Sequence, residues 1–176
     1  IANGNGLENL YCKHDGSLDD GFEMLTHPMT LAYHQSEMPW ADILRQAVQM
    51  GYTSHQAGTC GLHVHVNRNA FGETEARQDA VIARILYFFE KNWEELLKFS
   101  RRTQHQLDQW AARYGYKDQP KELLDHAKKS AHAGRYTSVN LTNKSTIEFR
   151  IFRGTLKYNT LIATLQLLDR ICDVAL

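Results

Sequence analysis

No apolar run in this chain approaches the ~18 residues that mark a membrane-spanning helix, so a membrane partner is not expected. The opening stretch, Ile1 to Glu8, is polar and carries Gly and Asn, so it lacks the apolar segment of a signal peptide. Cysteine is scarce. Cys12, Cys60 and Cys172 are three, an odd number, far apart and without Cys-x-x-Cys spacing. A disulfide framework and a cysteine-based zinc site are disfavoured, and a reducing compartment, the cytoplasm, is expected. Charge of one sign is also missing: 20 Lys and Arg balance 20 Asp and Glu. A broad field for nucleic acid or an acidic membrane is therefore excluded as a design feature. No internal repeat, low-complexity segment or linker is visible.

What is present fits one globular domain. The 176 residues are 43% hydrophobic and 23% charged, and a chain of this length buries roughly 70% of its unfolded surface. Nine histidines is a high number for the length, and the chain begins at Ile1 without Met.

Leu10 to His14 reads as a strand, Asp15-Gly16-Ser17 as a turn and Gly21 to Thr26 as the returning strand. Trp40, Ile43, Leu44, Ala47 and Val48 share one face of a helix over Pro39 to Met50, which Gly51 ends. Leu62 to Val66 alternates apolar residues with His63 and His65, the pattern of a half-buried strand. A long helix is expected from Glu75 to Ser100, with Val81, Ile85, Phe89, Trp93 and Leu96 in its stripe. Shorter helices follow over Thr103–Tyr114 and Lys121–His132. Tyr136 to Leu141 and Thr146 to Phe152 read as strands around a turn at Asn143-Lys144, and Asn159 to Ala175 as a final helix. The fold class is α+β, a mainly antiparallel sheet with helices on one face.

Three features carry possible chemistry. In Gly61-Leu62-His63-Val64-His65 the two imidazoles point to one side of a strand, either as a ligand pair or as hydrogen-bonded sheet residues. In Thr146 to Arg153, Glu148 and Arg150 share one face while Ile147, Phe149 and Ile151 share the other. Such a Glu and Arg must be partnered or solvated. They read either as a cross-strand ion pair or as a carboxylate for a cation beside a guanidinium for an anion. Asp15 and Glu23 sit on a hairpin where both can reach one cation; taken alone, turn chemistry and surface exposure account for them more simply. Carboxylates together with imidazole suit Mg²⁺, Mn²⁺ or Zn²⁺, and metal beside arginine suits a phosphate clamp.

In their order along the chain, "KHDGSL", "GFEMLTHP", "GLHVHV", "FSRR", "RYTSVNL" and "TIEFRIFRGTL" resemble the amidoligase family. That family is a branch of the glutamine synthetase-like carboxylate–amine ligases. The resemblance runs from about Lys13 to Leu176. It implies a glutamine synthetase-like catalytic domain with a curved, mainly antiparallel sheet. The activity it implies is ATP-dependent amide formation through an acyl phosphate, with Mg²⁺ or Mn²⁺. It implies small-molecule or peptide carboxylate and amine substrates, and a bacterial or phage source. On this resemblance His63, Glu148, Glu23 and Asp15 hold metal. His65, Arg150 and Arg153 contact the nucleotide, and Arg150 and Arg135 act on the transferring phosphate or the substrate; Arg101 is a weaker candidate beside Arg102.

The family's first strand, with its Glu-x-Glu pair, has no counterpart before Lys13, where only Glu8 is acidic. Residues 1–176 are thus expected to be one domain lacking its first strand. A zinc-dependent hydrolase using the two histidines, or a non-catalytic truncated module, stands as the alternative. The chain shows neither a Ser-His-Asp arrangement nor a Walker-type glycine loop. Glu148→Ala, Arg150→Ala and His63→Ala are expected to abolish nucleotide turnover and leave the fold intact.

Overall fold

The computed structural model describes residues 9–14, 16, 18, 21–130 and 134–176. Asp15 and Glu8 lie outside these residues. The described part is α+β, with two small antiparallel sheets and seven α-helices. It divides into two compact units. One holds Ile1–Cys60 and Thr155–Gln166, the other Gly61–Gly154 and Leu167–Leu176. Among the described residues no helix is long and apolar enough to cross a membrane.

In the first unit β1 (Leu10–His14) and β2 (Phe22–Thr26) pair antiparallel, with Lys13 opposite Glu23. The short helix α1 (Leu31–Ser36) is capped by Thr30, whose hydroxyl accepts from the Tyr33 backbone N–H. In α2 (Trp40–Gln49) Trp40, Leu44 and Ala47 of the expected face are buried while Val48 is exposed, and Trp40 Nε1 donates to His34 Nδ1 at 3.2 Å. The first part of α7 (Tyr158–Ala175) belongs here too.

The second unit contains the large hydrophobic core. Its sheet has the order β3 (Gly61–Asn67), β5 (Thr146–Arg153), β4 (Val139–Asn140), all antiparallel. Ile147, Phe149, Ile151 and Phe152 of the central strand are fully buried, among Val81, Ile85, Leu86 and Phe89 of α3 (Glu75–Lys91). A short 3-10 helix over Arg68–Phe71 leads into α3. Pairing shifts by one between Leu62 and Val64, which face Phe152 and Phe149. Arg150 and Ile151 therefore stand together opposite His63, a β-bulge. The bulge lets Ile151 and Phe152, neighbours in sequence, both enter the core, which strict alternation forbids.

The single long helix expected over 75–100 is two helices. α3 ends at Asn92 and α4 (Trp93–Ser100) begins there. Asn92 leaves helical geometry (φ −110°, ψ 29°), and its side-chain Nδ2 donates to the Phe88 carbonyl at 2.9 Å. This local bond offers the backbone an alternative to continuing the helix. α5 (Gln104–Trp110) starts with a capping box between Thr103 and Gln106, and α6 (Pro120–Ser130) packs against α3. The strand expected over 136–141 shrinks to β4, preceded by a single parallel bridge from Thr137 to Ala112. Cys172, near the end of α7, is buried in this core, and burial first, then Asp169, pushes its thiol up to about 12.

Candidate active site

The site lies on the β3–β5–β4 sheet. Register places His65 and Asn140 on either side of Glu148. Asn140 Nδ2 donates to Glu148 Oε2 at 2.7 Å, and Arg150 Nη1 donates to Glu148 Oε1 at 2.5 Å. The Glu148 and Arg150 side chains are only 8% and 9% exposed. The same Oε1 lies 3.4 Å from His63 Nδ1 and 3.8 Å from His65 Nε2. His65 turns its Nδ1 to the Thr146 hydroxyl at 3.1 Å. The bulge brings Arg150 beside His63, with Arg150 Nη1 at 3.5 Å from His63 Nδ1. Glu148 and Arg150, which the sequence sets on one face, are thus a buried pair within the one strand.

Burial alone raises the Glu148 carboxyl; the Asn140 hydrogen bond and the Arg150 charge outweigh it and hold it below the ordinary value. His63 moves down to about 4, through burial first and then the Arg150 charge, against the pull of Glu148. At neutral pH His63 is an uncharged imidazole. Its contact with Glu148 is therefore a polar contact and not an ion pair.

A second group of cations borders the pair. Arg101 caps the end of α4 in left-handed geometry (φ 63°), and among the described residues no other non-glycine has positive φ. Arg101 Nη2 donates to the Arg153 carbonyl at 3.4 Å, and Arg153 Nη1 donates to the Arg101 carbonyl at 3.3 Å. Burial, then Arg153, lowers the Arg101 pKa. Burial, then Arg150 and Arg153, brings Arg102 down to about 10. Gly61 matters here: a Cβ on it would lie 2.6 Å from His63 Nε2 and 2.7 Å from Arg102 Nη2. Tyr136 places its ring under both Arg150 and Arg135, at 5.6 and 5.5 Å from the guanidinium carbons.

The structure therefore brings together His63, His65, Glu148 and Arg150, with Arg101, Arg102 and Arg153 along the same strand ends. Arg135 is exposed and joins through the Tyr136 ring. Glu23 is on β2 of the other sheet, in the first unit, opposite Lys13; Asp15 is outside the described residues. Asn140 and Tyr136 had no assigned role in the sequence. A signal for Asn140 existed: a hairpin folded at Lys144 sets Asn140 and Glu148 equally far from the turn.

The family described as "putative amidoligase enzyme" matches residues 6–172. The chain belongs to the amidoligase family. No curated protein and no solved structure matches it. The motifs "GLHVHV" and "TIEFRIFR" lie within that matched stretch, on β3 and β5, which pair antiparallel in the sheet of the site.

Among the described residues no three of His, Cys, Asp and Glu are grouped to hold a divalent ion. Both Glu148 oxygens are engaged, one by a guanidinium and one by an amide. Arg150 Nη1 stands 2.5 Å from Glu148 Oε1 and 3.5 Å from His63 Nδ1. As arranged, these residues do not fit a resident metal.

Proposed function

We propose that this member of the amidoligase family is an ATP-dependent carboxylate–amine ligase of the glutamine synthetase-like class. The observation that carries the reading is the Glu148–Arg150 pair, buried between two strands and flanked by His63 and His65. A buried guanidinium held by a carboxylate that is itself fixed by an amide is pre-aimed, so it stabilises developing phosphate charge without reorganising.

In this reading an oxygen of the substrate carboxylate attacks the γ-phosphorus of ATP. The bond to the ADP oxygen breaks and an acyl phosphate forms. An amine nitrogen then attacks the acyl carbon, phosphate leaves with the bonding pair, and the nitrogen gives up a proton to yield the amide. Mg²⁺ or Mn²⁺ arrives on the nucleotide, as part of the substrate, and shields phosphate charge. Arg150 and Arg153 contact phosphate oxygens. Neutral His63 offers a ring N–H to the nucleotide side, and His65, 49% exposed, orients the outer phosphates. Arg135 and Tyr136 border the place where the carboxylate substrate approaches.

The test is hydroxamate formation. The protein is incubated with ATP, Mg²⁺, hydroxylamine and a panel of amino acids, dicarboxylic acids and short peptides. Acid-dependent hydroxamate together with ADP is expected, reduced at least 100-fold in Arg150→Lys. ADP release that no acid stimulates, or no nucleotide turnover with any acid, overturns the reading.

A further inference from the structure

Glu90 is a carboxylate where the fold has least use for one. It stands in the last turn of α3, where the helix dipole disfavours an anion. Its side chain is 1% exposed, and burial disfavours the charge again. Its neighbours Phe89 and Trp93 belong to the apolar core. The segment after α5 is what holds it. Arg113 Nε donates to Glu90 Oε2 at 2.8 Å, and Arg113 Nη2 donates to the Glu90 carbonyl at 3.2 Å. The Tyr114 backbone N–H donates to Glu90 Oε1 at 2.7 Å. Arg113 also lays its guanidinium over the Trp93 ring, 5.2 Å from the ring centre. Apolar side chains in place of a buried ion pair are often as stable or more so. Stability alone therefore does not account for this one.

The anchored segment leads to the site. The Ala112 N–H donates to the Tyr136 carbonyl at 2.9 Å, and the Ser138 N–H donates to the Ala112 carbonyl at 2.8 Å. From the other side the Arg150 N–H donates to the Ser138 carbonyl at 2.9 Å. The Tyr114 hydroxyl donates to the Val139 carbonyl at 2.9 Å and lies 3.0 Å from the Thr137 hydroxyl. Residues 136–140 thus run between β5 and the segment that Glu90 holds. β4 itself is only two residues long, shorter than an ordinary strand, so the segment on its outer side fixes where it lies. Tyr136 on this stretch sets its ring under Arg150, and Asn140 holds Glu148. Arg150 Nε has no hydrogen-bond partner among the described residues. Its guanidinium is oriented by Glu148 on Nη1 and by the Tyr136 ring.

We propose that Glu90 is a positioning residue of the site. Through Arg113 and the segment 112–114 it fixes Tyr136 beneath Arg150, and so sets the aim of that guanidinium. The inference deepens the ligase reading and rests on it only in calling that aim productive.

The experiment has a spectroscopic half and a kinetic half, both on the full chain. The first follows the Nε–H resonance of Arg150, which the Tyr136 ring current displaces; Tyr136→Leu measures that displacement. Glu90→Gln is expected to move the resonance in the same direction, at least about half as far. Asp79→Asn, which breaks the Asp79–Lys128 pair between α3 and α6, is expected to leave it in place. An unmoved resonance in Glu90→Gln, or an equal move in Asp79→Asn, overturns the proposal. In the hydroxamate assay Glu90→Gln is expected to lower kcat about tenfold or more and to change KM for ATP less than about threefold. Added to Tyr136→Leu it is expected to cost less than about twofold, because the part it acts through is gone. Fully additive losses overturn the proposal, as does a displaced resonance with kcat unchanged.

Glu90→Gln/Arg113→Met leaves no buried charge unpaired and serves where the single variant does not fold. It is expected to fold, to move the resonance and to lose kcat as Glu90→Gln does. Wild-type resonance and kcat in this variant overturn the proposal. Its failure to fold makes the pair structural and overturns it as well. The two readings fail separately. A resonance displaced by Glu90→Gln in a protein with no nucleotide turnover sinks the ligase and keeps the positioning role. Acid-dependent hydroxamate with an unmoved resonance does the reverse.

Discussion

Glu148 has its two oxygens spoken for, and that fixes how its neighbours can be tested. Arg150→Ala leaves a buried carboxylate without its cation and is expected to cost about 3–5 kcal/mol of stability. The expectation from sequence that alanine at Glu148 and Arg150 spares the fold is therefore corrected by their burial. Urea unfolding checks this, and a Glu148→Gln/Arg150→Gln double variant should lose less than Arg150→Ala alone.

Acid is the second probe at this scale. His63 has a folded pKa of about 4 against an ordinary 6.5, so between these values the unfolded chain binds more protons. Its contribution is full above about pH 6.5 and is lost as pH falls towards 4, ~2–3 kcal/mol in all. Glu148, held low in the fold, acts in the same direction: its stabilisation is present above the ordinary carboxylate value and fades as pH falls through the folded one. Urea midpoints at pH 7.5 and 5 should differ, and His63→Gln should flatten that slope.

The end of helix α4 isolates a backbone effect at the scale of the element. Arg101→Gly and Arg101→Ala both remove the side chain, yet only glycine suits φ 63°. Arg101→Gly is expected to be the more stable of the two by about 1 kcal/mol in thermal unfolding. Element positions were legible wherever a pattern had turn chemistry at its edges. β1 is predicted residue for residue, and β2, β3 and β5 to within one residue at either end. The break at Asn92 was not legible, because Trp93 and Leu96 continue the apolar stripe and an asparagine lacks the signature of Gly or Pro. α1 was missed because six residues with none buried carry no stripe. The pairing of His63 with Arg150 was hidden for another reason. Period-two reasoning has no place for a bulge, and the bulge is what puts them together.

Over the whole molecule the two units differ in what holds them. The second unit owns the contiguous core, while the β1–β2 sheet is a two-stranded ribbon, a form only marginally stable by itself. Amide hydrogen exchange should therefore be slowest in β3, β5 and α3 and faster by orders of magnitude in β1 and β2. Phe149→Ala is expected to cost about 3–5 kcal/mol, read by the same denaturant titration. The α+β class and the meeting of the Gly-x-His-x-His and Glu-x-Arg strands were readable in the sequence. The arginine corner was only half so, because Arg101 and Arg102 reach it through the chain reversal at the end of α4, which leaves no periodic mark.

The Cys172 thiol supplies a clock. Sealed in the core and held protonated far above neutral pH, it is nearly unreactive in the native fold. An alkylating reagent thus labels Cys172 only in molecules whose second unit has opened. Mass spectrometry of the labelled peptide then counts openings one at a time, with no fluorophore or engineered tag, and any ligand that slows the count has bound the folded form.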